Sequence, residues 1–194
     1  MKQPLDIRDI SIIDAFPTYD YRKIVLNVGC GKGRIDSHLC DLGYFVHATD
    51  FQSQDNWLEI IDFKGAKNIM FTLADIFKLE SFPVKNAPVV ICSETLEHLT
   101  NYKEALKNLL ALTSIRLIIT VPWQSSFNVH GPSPKGHCNH WSDKASGEYK
   151  DIHEFEELCK PYSTSISKIR TKPEDVGFKQ YGYLIVVDKR QGLI

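Results

Sequence analysis

Residues 24–33, I-V-L-N-V-G-C-G-K-G, constrain this chain more than any other stretch. An apolar, largely β-branched run from Ile24 to Val28, broken only by Asn27, leads directly into glycines at 29, 31 and 33. Such a run reads as a buried strand that ends in a turn with little side-chain bulk. After Gly33 the apolar spacing becomes helical, with Ile35, Leu39 and Leu42 on one face and Gly43 placed to stop the helix. A strand, a glycine turn and a helix N-terminus together make a site for a nucleotide-like ligand, because backbone N–H groups can approach it closely.

The rest of the chain repeats this strand and helix alternation. Tyr44 to Thr49 reads as a second strand, and the acid after it, Asp50, lies 21 residues beyond Gly29. A carboxylate at that distance is where a ribose diol is held. Residues 55–62 have a helical pattern, Asn68 to Leu73 a third strand, Pro88 to Cys92 a fourth and Arg116 to Val121 a fifth. Asn101 with Glu104 three residues on predicts a capping box and a helix from Tyr102 to about Thr113. Asp151 to Tyr162 reads as helix, and Thr164 to Ile169 and Gln180 to Lys189 as two last strands. Residues 5–16 have a mixed apolar pattern compatible with a short helix closing over the ligand. This order implies an α/β fold, a parallel sheet with helices on both faces and the ligand at the carboxyl ends of the strands.

Composition sets the outer limits. With 194 residues, 43% hydrophobic and 24% charged, the chain reads as a single domain, 1–194, of ordinary globular composition. Its formal net charge of -1 supplies no overall basic field to draw it to nucleic acid or an anionic membrane. No run approaches the roughly 18 apolar residues of a membrane span, so a cytoplasmic location is the default. Five cysteines, scattered and without a C-x-x-C pair, read as packed thiols. Residues 122–150 lose all periodicity and are rich in Pro, Gly, Ser, His and Trp. An irregular insertion of that length is commonly functional, here as the acceptor-binding region.

The glycine turn, Asp50, L-A-D-I at 73–76 and S-E-T-L-E-H-L at 93–99 together resemble the successive motifs of class I S-adenosylmethionine-dependent methyltransferases. The resemblance spans roughly residues 22–123, and Arg34 stands where a dinucleotide fingerprint has its last glycine. It implies a Rossmann-like, seven-stranded, mostly parallel sheet. It also implies that Gly29, Cys30, Gly31 and Gly33 meet the methionine end of S-adenosylmethionine. Asp50 and Phe51 would take the ribose side, Asp75 and Ile76 the adenine, and Ser93 and Glu94 would complete the pocket. Asn27 departs from the family pattern, which usually has an acid there; it removes a charge and keeps an acceptor.

A second set lies further on. Glu94, Glu97 and His98 are spaced so that one helical turn would turn them to one side. The insertion adds His137, His140 and Trp141. This E-x-x-E-H and H-x-x-x-W arrangement is similar to metal-dependent 2′-O-methyltransferases of small-RNA 3′ ends and, more loosely, to O-methyltransferases of ubiquinone biosynthesis. The resemblance implies Glu94, Glu97, His98 and His137 as ligands of a divalent metal, with Mg, Mn, Fe and Zn all compatible. Metal-free class I methyltransferases also carry E-x-L-E-H, where it supports the cofactor pocket. His98, His137 and His140 are equally the candidates for a general base. The expected activity is methyl transfer to a hydroxyl of a small molecule or sugar. The alternatives are a metal-dependent RNA 3′-end methyltransferase and a non-catalytic cofactor-binding subunit of a complex.

Overall fold

The computed structural model describes residues 5–17, 24–64, 68–123, 137–147, 149–171 and 181–189. Its elements are α1 (Ile7–Asp14), β1 (Ile24–Val28), α2 (Arg34–Asp41), β2 (Phe45–Asp50), α3 (Asn56–Lys64) and β3 (Ile69–Leu73). They continue with β4 (Ala87–Ser93), α4 (Tyr102–Leu112), β5 (Thr113–Pro122), β6 (Trp141–Ser142), β7 (Lys150–Asp151), α5 (Glu154–Leu158), β8 (Ser163–Arg170) and β9 (Tyr181–Asp188).

Seven strands form one sheet in the order β3-β2-β1-β4-β5-β9-β8. β3, β2, β1, β4 and β5 pair in parallel, whereas β9 runs antiparallel to both β5 and β8. The order reverses at β1 and β4, so the crevice for a ligand opens beyond Val28 and Ser93. Period-two alternation sends successive side chains of the central strands to opposite faces. Leu26, Val28, Val90, Cys92, Leu117 and Ile119 pack on one face with Leu106 and Leu109 of α4. Val25, Val89, Ile91 and Ile118 pack on the other with Ile12 of α1 and Ile35 and Leu39 of α2. Asn27 shares this second face and is 2% exposed, a polar residue enclosed in an apolar layer.

Three expectations are corrected. Asn101 does not cap the backbone of α4; its side-chain amide donates instead to the Glu104 carboxylate. The helix expected over 151–162 shrinks to α5, because Lys150 and Asp151 extend to pair with Trp141 and Ser142. Residues 94–99 do not make the α-helical turn that would align Glu94 with Glu97 and His98. Glu94 takes a left-handed backbone, φ 51°, and only Leu96–His98 forms a 3-10 turn. Of the insertion, residues 124–136 and 148 lie outside the described residues. No helix among the described residues is long and apolar enough to cross a membrane.

Candidate active site

The glycine turn is held by its neighbours before any ligand arrives. Gly29 and Cys30 donate backbone N–H bonds to Thr49 O (2.8 and 3.0 Å), and Gly33 donates to Cys30 O (3.0 Å). Asp50, 8% exposed, accepts from Gly31 N at 2.8 Å, fixing the end of β2 to the turn. Trp57 Nε1 donates to Gly31 O (2.8 Å), and its ring stacks on Phe71 at 4.9 Å. Glycines 29, 31 and 33 have φ of 76°, 50° and 70°, in the left-handed region that L side chains avoid. A Cβ on Gly29 would meet Thr95 Oγ1 at 2.2 Å and one on Gly33 the Phe71 ring at 2.7 Å; over Gly31 there is nothing within 4 Å. The first and third glycines therefore serve packing. Gly31 alone opens onto free space.

Beside the turn lies a cavity of about 270 Å³ lined by Arg8, Asn27, Gly29, Cys30, Ser93 and Glu94 among others. α1 forms one wall. A capping box closes its start, with Asp9 N donating to Asp6 Oδ1 (2.9 Å) and Asp6 N to Asp9 Oδ2 (3.0 Å). Arg34 at the start of α2 pairs with both acids, at 2.9 Å from Asp6 Oδ2 and 2.9 Å from Asp9 Oδ2. Arg8 reaches Glu94 at 3.0 Å. Beneath the cavity Asn27 Nδ2 donates to both carboxylate oxygens of Asp36, at 2.9 and 3.0 Å. Asp36 is fully buried, and that burial pushes its carboxyl up to about 7.

Of the remaining expected cofactor residues, Ser93 and Glu94 line this cavity, whereas Asp50, Phe51, Asp75 and Ile76 are outside its lining. Phe51 is 76% exposed beside Asp50, while Ile76 packs into the core at 8% exposure. The Asp75 carboxylate accepts from Phe77 N (3.0 Å) and lies 3.5 Å from Lys78 Nζ. Ser93 Oγ bonds Thr120 Oγ1 at 2.8 Å. Burial of Cys30 pushes its thiol far above the usual range, so it is no nucleophile at neutral pH.

A second constellation lies on the loop after β4. Ligand atoms of Glu97, His98 and His137 all lie within 4.8 Å of one another. His98 Nε2 is 3.9 Å from Glu97 Oε1, and the His98 and His137 rings meet edge to face at 4.6 Å. Residues 137–141 are carried there by backbone bonds: Cys138 N and Asn139 N donate to Glu97 O at 2.6 and 3.0 Å. Asn139 Nδ2 donates to Leu96 O and Leu99 O as well. Trp141 anchors the segment, fully buried, with Nε1 donating to Glu154 Oε1 at 2.8 Å; Tyr102 donates to the other oxygen of Glu154 at 2.8 Å. Burial, and next the nearby Glu94 charge, push the Glu97 carboxyl well up. Burial and the neighbouring His98 and His140 hold His137 below the usual imidazole range.

Glu94 stands apart from the three. Its Oε2 faces Arg8, its Oε1 accepts from Thr120 Oγ1 at 3.2 Å, and its left-handed backbone aims it at the cavity. His140 is one step removed, its ring 6.0 Å from that of His137.

Residues 26–114 match the sequence profile of a methyltransferase domain. That match covers 89 of the 194 residues. The structure resembles that of the magnesium protoporphyrin IX methyltransferase of Synechocystis with bound S-adenosylhomocysteine, at TM-score 0.63 and 16% identity over 86% of this chain and 74% of that one. A SAM-dependent methyltransferase of Aquifex aeolicus aligns at TM-score 0.63 and 16% identity, over 93% and 90%. Phosphoethanolamine N-methyltransferase 2 of Haemonchus contortus aligns at TM-score 0.67 and 11% identity, over 95% of this chain and 52% of that one. No curated protein matches the chain by sequence. At these identities the structural likeness speaks to the fold.

Arg8, Arg34, Asp36 and Trp57 hold residues around the glycine turn and belong to none of the motifs. Trp57 alone of these bonds the turn itself, at Gly31 O, and the mixed apolar pattern of residues 5–16 was the sequence signal for a helix near it.

Proposed function

We propose that this chain is a methyltransferase that holds S-adenosylmethionine with its methionine end over Gly29 to Gly33 and transfers the methyl group to a hydroxyl of a small molecule or sugar at Glu97, His98 and His137. One adjacency carries this reading: Glu94 lines the cavity over the glycine turn, and Glu97, three residues on in the same loop, belongs to the histidine cluster. The donor site and a set of proton-accepting groups therefore share one short segment. A net charge of -1 favours a small acceptor over RNA, whose binding relies on many cationic contacts.

In the transfer the acceptor oxygen attacks the methyl carbon, the carbon–sulfur bond breaks and S-adenosylhomocysteine leaves. The hydroxyl proton passes to His137, which burial keeps neutral and able to accept it near neutral pH. Most of the acceleration comes from alignment of oxygen and methyl, since a sulfonium is already an activated donor.

The same three side chains suit a divalent cation. Glu97 is 1% exposed, and its Oε2 has no hydrogen-bond partner among the described residues. A cation would satisfy that oxygen and offset its crowding with Glu94. Glu97, His98 and His137 would hold the ion, a donor set compatible with Mg, Mn, Fe or Zn. Such an ion supplies Lewis-acid stabilisation of an alkoxide.

Titration calorimetry with S-adenosylmethionine is the direct test. Binding to the unmutated protein, lost in Asp50→Ala, is expected; no detectable binding by the unmutated protein sinks the reading.

A further inference from the structure

A second cavity, of about 350 Å³, runs along α4 and shares no lining residue with the one beside the glycine turn. Its floor is apolar: Leu110 of α4, Leu158 of α5 and Tyr162 ahead of β8 are half-buried and rest on the core. Lys103, Lys107, Lys160 and Lys189 stand around that floor, and no carboxylate belongs to the lining. In a chain whose net charge is -1 this is a local concentration of one sign. A cleft with low-dielectric walls focuses such a field and raises the local concentration of anions.

The lysines differ in how they are held. Lys189 is built in: its ammonium donates to Leu110 O (2.9 Å) and Thr113 O (2.7 Å), carbonyls at the end of α4, and lies 5.0 Å from the centre of the Tyr162 ring. The cavity therefore has a fixed cation beside its aromatic wall. Lys103 and Lys107 stand one turn apart on α4, and Lys160 belongs to the other wall. Lys107 has no acidic partner among the described residues. Lys103 is 3.8 Å from Glu154, whose oxygens already accept from Trp141 and Tyr102, and Lys160 pairs with Glu157 at 2.7 Å. Exposed pairs of this kind contribute little, so a multiply charged ligand can displace them.

We propose that this groove binds a phosphate monoester carrying an apolar body. Ammonium groups on both walls act as point charges around a head, which suits a tetrahedral dianion. A planar carboxylate is read best by the fork of an arginine, and no arginine lines the groove. Leu110, Leu158 and Tyr162 cover the apolar body, and the volume lies in the range of small-ligand pockets. The fixed cation sits at the amino ends of the strands, since Thr113 opens β5 and Lys189 N bonds Ile115 O (2.8 Å). The glycine turn lies at the carboxyl ends. A bound ligand would thus bridge α4 to the segment between α5 and β8 without touching the donor site.

Octyl phosphate is the probe, with inorganic phosphate, octanol and octanoate as its partial forms, each kept below its aggregation concentration and followed by titration calorimetry. Octyl phosphate should bind about ten-fold more tightly than any of the others, and about ten-fold more weakly to Lys107→Gln/Lys160→Gln. Both lysines are exposed, so the variant should keep the melting temperature and the S-adenosylmethionine affinity of the unmutated protein. Equal binding of octyl phosphate by the variant would place the ligand elsewhere and overturn the site. Octanoate as tight as octyl phosphate would overturn the phosphate head. Binding of vesicles containing phosphatidic acid, with none of octyl phosphate, would make the face a membrane contact and overturn the small-ligand site. Each outcome is read without S-adenosylmethionine, so failure of the methyltransferase reading leaves the test standing.

Discussion

Arg8 Nη1 lies 3.0 Å from Glu94 Oε2, joining the first turn of α1 to the residue that follows β4. These residues are 86 positions apart in the sequence, yet they close the cavity from opposite sides. Arg34 adds a second tie, from α2 to Asp6 and Asp9. The helix over the glycine turn is therefore fastened by charge at its N-terminal end and by Ile12 in the core at its middle. A ligand enters a site whose cover is held by few bonds, the kind of element that opens locally.

Glu94→Gln tests that fastening. The amide can still accept from Thr120 but no longer balances Arg8, and a half-buried pair of this kind is worth about 1 kcal/mol. Hydrogen exchange of α1 amides should accelerate about five-fold, with exchange in β1 and β4 unchanged. Unaltered exchange in α1 would show that core packing of Ile12 and Phe16 alone holds it.

The three glycines should respond differently to alanine. Gly29→Ala and Gly33→Ala force a Cβ to within 2.2 Å of Thr95 and 2.7 Å of Phe71, so each should lose about 2–4 kcal/mol of stability from overpacking and left-handed strain. Gly31→Ala meets no protein atom and should lose only about 1–2 kcal/mol, the backbone penalty. Its larger effect should be on S-adenosylmethionine affinity, because the new methyl group would stand in open space on the turn proposed to meet the methionine end. Thermal denaturation and calorimetry on the three variants separate the two behaviours. A ranking with Gly31→Ala the least stable would contradict it.

Local pattern carried the strands, the glycine turn and Asp50, since buried strands and helices differ in period and a turn without side chains leaves glycines. The seven-stranded sheet follows, including the two last strands, although only contact reveals that β9 inserts between β5 and β8. The site was legible unevenly for a physical reason. Helical spacing predicted Glu94, Glu97 and His98 on one side, but Glu94 N bonds Thr120 O (2.9 Å) at the end of β5, which starts the loop in a left-handed turn. The nearness of His137 to Glu97 depends on Asn139 and Trp141 docking against residues far off in sequence. Trp141 accordingly serves as an anchor in the core. Asp36 is an ordinary acid in a helix until Asn27 is seen facing it.

Asp36 should leave a signature in stability against pH. Its folded value of about 7 exceeds the ordinary 3.8, so between those limits the folded protein keeps a proton that the unfolded chain has released. Stability contributed at low pH is lost as pH rises through this window and is level above it. Glu94 and Glu97, also raised by burial, act in the same direction, while His47 and His137, lowered by burial, act in the opposite one. The difference between wild type and Asp36→Asn isolates one group. The variant should gain relative stability between about pH 4 and 7, by at most ~1.4 kcal/mol per pH unit. Parallel curves from denaturant titrations across this range would mean that Asp36 is ionised in the fold.

Metal at the histidine cluster is tested by its effect on the fold as well as on turnover. A divalent ion that binds the native state alone raises stability in proportion to the logarithm of its concentration, about 2.7 kcal/mol at one hundred times its dissociation constant. Glu97, His98 and His137 come from two segments, the loop after β4 and residues 137–141, so an ion held by all three would cross-link them. Manganese or zinc should therefore raise the melting temperature of the chelator-treated protein, and the rise should vanish in Glu97→Gln and in His137→Ala. His140→Ala should keep it, because the His140 ring lies 6.0 Å from that of His137 and outside the ligand set. Transfer activity that survives chelation, with melting indifferent to every ion tried, would assign the cluster to proton transfer by His137 without a metal.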